Sequence, residues 1–177
     1  MGFDLGSLLQ QYAGGAPPSA NVDQHFDQVA QNAPPEVVRD GLAEAFRSDS
    51  TPPFGQMVGQ LFGAGNPNQR AGMLSSLIAG LAPGVLASLA GRGGSSGLGG
   101  MLGQLLNRGN APATVTPEQA AQVSPADVAE IAHHAEQHDP GIVDRMSGFY
   151  AQHPQLVKGL GAAALGIALS KMANRSS

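Results

Sequence analysis

Thirteen prolines divide this chain into short pieces, and several stand where a helix would begin. Proline lacks an amide hydrogen and clashes with the turn before it, so it suits a helix's first turn and breaks one further in. Asn66-Pro67, Thr116-Pro117, Ser124-Pro125 and Asp139-Pro140 each set proline behind a residue that can accept a free helix amide. Thr116-Pro-Glu-Gln119 and Ser124-Pro-Ala-Asp127 read as capping boxes, with Gln or Asp in the third helical position. No run shows the strict alternation, rich in β-branched residues, that marks a strand. The expected fold class is all-α, an array of short helices.

The apolar spacing places those helices. They cover 3–12, 22–32, 35–47, 53–63, a stretch opening at Asn66-Pro67 and broken at Pro83, a short piece to Ala90, 101–106, 125–138, 140–152 and 154–173. Residues 91–100, GRGGSSGLGG, hold too many glycines for a helix and read as a flexible joint. The predicted organisation is an N-terminal helical unit over 1–90, a Gly-rich joint with a short helix over 91–116, and a C-terminal unit over 117–177.

The two ends of that layout resemble one another. PPEVVRDGLAEAFRSD (34–49) aligns with SPADVAEIAHHAEQHD (124–139) at an offset of 90, setting Pro35 on Pro125 and Val38 on Val128. FGQMVGQL (54–61) aligns with VDRMSGFY (143–150) at an offset of 89, putting Gly59 opposite Gly148, and GNPNQRAG with QHPQLVKG, putting Gly72 opposite Gly159. The helix breakers coincide in order and spacing, as two tandem pseudo-repeats of a four- or five-helix unit would require. Leu, Ile, Val and Phe fill only 39 of 177 positions, barely enough for a core. Two halves of about 85 residues would therefore gain from packing on each other.

Composition excludes several functions. A net charge of −4 leaves no basic surplus to neutralise phosphates, so nucleic acid is not an expected partner. With no cysteine, disulfides and thiolate metal sites are absent. The N-terminus carries no Lys or Arg before its short apolar stretch and so does not read as a secretory signal, which points to the cytoplasm. Residues 71–91 are uncharged and long enough to span a bilayer, but Pro83-Gly84 interrupts them, and 159–170 is too short. Both read as buried helices. Association with a membrane surface through 71–91 or the N-terminal amphipathic helix is the alternative.

MLSSLIAGLAPGVLASLAGRGGSSGLGGMLGQLL (73–106) resembles the tails of the YidB-like family of small bacterial helical proteins, with their Gly-rich segment and GLGGLLG-type strings. The resemblance implies a helical array and no known activity.

Residues that could carry chemistry are few. His134 and His138 are i,i+4 on one helix face, and His153 could join them if the helices pack antiparallel, giving the only candidate metal ligands. HHAEQH lacks the HExxH spacing that would place a hydrolytic base, and a His near a helix C-terminus also interacts well with the dipole. Asp40 with Glu44, and Glu136 with Asp139 and Asp144, read as capping and solvation rather than acid–base pairs. No nucleophile motif or phosphate cradle is present. No cofactor, metal or small-molecule substrate is expected. The favoured reading is a non-catalytic interaction or structural protein, self-associating or binding a protein partner through small-residue helix faces around Gly72, Leu77, Gly159, Ala163 and Gly166. His-based metal binding is a further alternative.

Overall fold

The computed structural model describes residues 4–14, 20–92, 97–108 and 114–175, and among them there are twelve α-helices and no strand. The expected all-α array of short helices is what the chain forms.

The helices are α1 (Leu5–Ala13), α2 (Val22–Asn32), α3 (Pro35–Arg47), α4 (Phe54–Ala64), α5 (Pro67–Ala79) and α6 (Pro83–Arg92), followed by α7 (Gly97–Asn107), α8 (Pro117–Ala121), α9 (Pro125–His138), α10 (Ile142–Gln152), α11 (Pro154–Val157) and α12 (Ala162–Arg175). Prolines start six of them at the first turn or on the cap. Both predicted capping boxes are made, at Thr116/Gln119 and Ser124/Asp127, and Asn66/Gln69 forms a third. Each satisfies two backbone donors that would otherwise lie open at the helix end. Asp4 caps α1 by accepting from the Ser7 amide, and the Ser7 hydroxyl, donating to the same carboxylate at 2.7 Å, together with that amide holds it below the usual range.

Two local expectations change. The joint predicted over 91–100 is helical at both edges, since α6 runs to Arg92 and α7 starts at Gly97; residues 93–96 lie outside the described part. Packing of α6 on α7, with Leu89, Met101 and Leu102 buried, outweighs the poor helix propensity of glycine there. The single helix predicted over 154–173 is three pieces: α11, a 3-10 turn at Lys158–Leu160, and α12. Gly161 separates them at φ 85° and ψ 164°, a backbone conformation open almost only to glycine.

The contacts gather the chain into two units that are not consecutive in sequence. One comprises 1–53 and 143–177, the other 54–142. The divisions fall at Pro53/Phe54 and Ile142/Val143, not in the Gly-rich stretch at 91–116. The physical reason lies in α12, which packs on α3, α1 and α2 and so completes the core begun at the other end of the chain. Leu165, Ala168, Leu169 and Met172 of α12 are fully buried there, as are Phe26, Val29, Val38 and Leu42. Each such side chain contributes roughly 1.5–3 kcal/mol if it is a large aliphatic or aromatic one. In the other unit α4 pairs with α9, α5 with α8 and α6 with α7.

No helix among the described residues is long and apolar enough to cross a membrane. The apolar residues of α1, Leu8, Leu9 and Tyr12, are turned into the first unit, and Tyr12 there shares a 2.8 Å hydrogen bond with His25 Nδ1.

Candidate functional site

The histidines show what this fold makes of its few reactive groups. On α9, His133 lies 3.0 Å from the amide nitrogen of Gln137, and His134 Nε2 lies 3.5 Å from an Arg92 guanidinium nitrogen and 3.8 Å from Glu130. Arg92 can only donate and the Glu130 carboxylate can only accept, so the two neighbours ask for opposite protonation of that ring atom. His138 is exposed in the last turn of α9. His153 belongs to the other unit, where its Nδ1 meets the Phe149 carbonyl at 3.0 Å and its ring stacks on Phe149 at 4.5 Å. The described residues contain no group of three or more His, Cys, Asp or Glu placed to hold a metal ion.

A cleft of about 480 Å³ opens in the first unit between α3, α10 and α12. Its charged walls are matched in sign. Arg47 grips Asp144 with two bonds of 3.2 and 2.9 Å, Lys171 reaches Glu44 at 3.2 Å, and Arg175 pairs with Asp40. Arg47 recognises a carboxylate ninety-seven residues away, whereas the neighbouring Arg145 points elsewhere on the helix. The pairs are substantially exposed, so each is worth well under 1 kcal/mol, and together they set which helix edges meet. With every charge answered, the cleft offers neither a spare base nor a net charge to attract an ion.

Tyr150 of α10 is fully buried beside Phe46 and Phe149. Its hydroxyl meets no hydrogen-bond partner, and burial pushes its pKa well up, so it stays a neutral phenol.

The residues predicted to form a small-residue association face divide between the units. Gly72 is half-buried and Leu77 fully buried on α5, which packs on α8, α4 and α9. Gly159 and Ala163 are exposed and Gly166 half-buried in the other unit. The tightest backbone approaches occur at different glycines. A Cβ on Gly41 of α3 would stand 2.7 Å from the Ala168 carbonyl oxygen and 2.8 Å from Met172 Cγ. On α4, a Cβ at Gly55 would meet the Ala129 carbonyl at 2.5 Å, and one at Gly59 the Pro125 carbonyl at 2.7 Å. The signal for the second pair was in the sequence. Gly55, Gly59 and Gly63 recur every four residues and line one helix face. Gly41 has no such pattern to announce it.

Comparison with protein-family models finds no match, and none is found among curated proteins or solved structures.

Proposed function

We propose that this is a non-catalytic helical module that self-associates through the outward face of α12. The observation that carries the reading is the composition of that face. The inner side of α12 is built of Leu165, Ala168, Leu169 and Met172, all fully buried. Its outer side presents Ala162 and Ala163 exposed and Gly166, Ile167 and Ser170 half-buried, with no charge before Lys171. A helix that only faced water would carry long charged side chains there, as α3 does with Glu36, Arg39 and Glu44. Ala and Gly let a second backbone come close and have no rotamers to freeze on contact. The resemblance of 73–106 to YidB-like proteins, which implies no known activity, agrees with a non-catalytic role.

Ala163→Arg tests this, because the side chain is exposed and the fold has no need of it. Light scattering is expected to find an assembly for the unsubstituted chain and a smaller species for Ala163→Arg, with the same melting temperature. A monomeric unsubstituted chain would overturn self-association. Equal assembly of both proteins would overturn this face, and flotation of the protein with liposomes would favour a membrane surface as its target.

A further inference from the structure

The unit made of residues 1–53 and 143–177 is assembled from two pieces of opposite charge. Residues 1–53 carry seven Asp and Glu against two Arg, a net −5, and residues 143–177 carry one Asp against four Lys and Arg, a net +3. Oppositely charged pieces attract over more than their contact distances. Four ion pairs each cross from one piece to the other. Asp27 of α2 meets Lys158 at 2.6 Å, and Glu44 of α3 meets Lys171 of α12 at 3.2 Å. Asp40 of α3 pairs with Arg175, and Arg47 grips Asp144 of α10 in the one pair of reversed sign. The hydrogen bond to Asp27, with the charge it carries, holds the Lys158 pKa above the ordinary lysine value. Lys158 and Lys171 are the only lysines in the chain, and both lie on this seam.

The other unit is closed by a different force. Its α4–α9 seam sets glycine against backbone, Gly55 at the Ala129 carbonyl and Gly59 at the Pro125 carbonyl. Its Arg70 donates to the Phe62 and Gly63 carbonyls, and Arg92 lies beside His134. Residues 54–142 also run without a break in sequence, whereas 1–53 and 143–177 are joined covalently only through them. Salt screens exposed charges and leaves close steric packing as it is. Apart from Asp27 and Asp40, the partners in the four pairs have side chains 42–57% exposed, well within reach of solution ions. Salt should therefore act on the first unit and spare the second.

We propose that the first unit is held shut by an ionic clasp, so that salt or loss of the two lysine charges lets residues 143–177 part from residues 1–53 while residues 54–142 stay folded. Opening uncovers Val38 and Leu42 on one side and Leu165 and Leu169 on the other. The inference does not depend on the self-association proposed above. Hydrogen exchange of the full chain reads each helix separately. Raising NaCl from about 0.1 M to about 1 M shortens the screening length from about 10 Å to about 3 Å. Exchange in α3 and α12 is expected to quicken on the order of tenfold, and exchange in α4 and α9 to stay within about twofold. Lys158→Gln combined with Lys171→Gln should quicken α3 and α12 already at about 0.1 M salt and respond less to more of it. Lys158→Arg combined with Lys171→Arg keeps both charges and should behave as the unsubstituted chain. The clasp is overturned if α3 and α12 ignore salt, or if α4 and α9 respond equally. A glutamine variant with the full salt response would also overturn it, as would an arginine variant that matches the glutamine one.

Discussion

The hydroxyl of Tyr150 is a polar group sealed in an apolar core with no partner, a state that costs about 1–3 kcal/mol in general. Tyr150→Phe keeps the ring beside Phe46 and is expected to raise the melting temperature by a few degrees. It should also change the alkaline limb of stability. The folded phenol has a raised pKa, so its contribution is complete below pH 10 and is lost as the unfolded tyrosine ionises above it. Urea melts at increasing pH should therefore show a shallower decline for Tyr150→Phe, and parallel declines would contradict the assignment. Two glycines separate crowding from strain. Gly41→Ala puts a methyl against the Ala168 carbonyl and should cost roughly 1–3 kcal/mol by overpacking. At Gly161 an added Cβ would meet nothing, yet its positive φ makes alanine cost about 1–3 kcal/mol through the backbone. Chemical denaturation of the two variants measures both.

Between elements, the pairing of α4 with α9 turns on a ladder of three glycines whose rungs are unequal. Alanine in place of a mid-helix glycine normally stabilises by about 0.5–1 kcal/mol. Gly63, exposed and in ordinary contact with Pro125, should follow that rule. Gly59, where the new methyl would stand 2.7 Å from the Pro125 carbonyl, should reverse it and lose roughly 1–3 kcal/mol. Thermal melts of Gly59→Ala and Gly63→Ala moving in the same direction would refute this account. Where these helices begin was legible beforehand, because proline with a capping side chain acts within one turn. The split of the last helix at Gly161 was not, since Lys158-Gly-Leu-Gly161 carries no proline and its glycines fit a helix interior as well as a break.

The whole molecule follows a different logic from its elements. Each unit contains helices from both sides of the Gly-rich stretch: α3 with α12 in one, α4 with α9 in the other. A protease site inserted after Gly94 of the full chain should therefore yield two fragments that co-elute and keep their helical circular dichroism. Fragments that separate and remain folded would mean that each half is self-contained. Of the candidate site, the sequence showed the histidine pair and the carboxylate pairs. It did not show that Arg92 lies beside His134, that His153 meets the Phe149 carbonyl at the end of α10, or that Asp144 answers Arg47.

What the sequence determined by itself was every feature whose cause lies within a few residues: the all-α class, the helix starts, the capping boxes and the inward stripes of α3 and α4. Caps, prolines and helical periodicity act over one or two turns and need no knowledge of the rest of the chain. Only the tertiary structure decided which stripe meets which. Small apolar faces such as those of α3, α5, α9 and α12 are nearly interchangeable in hydrophobicity. The choice among them rests on steric fits such as Gly41 under Ala168, and on charge matches such as Arg47 with Asp144, made between residues far apart in the chain.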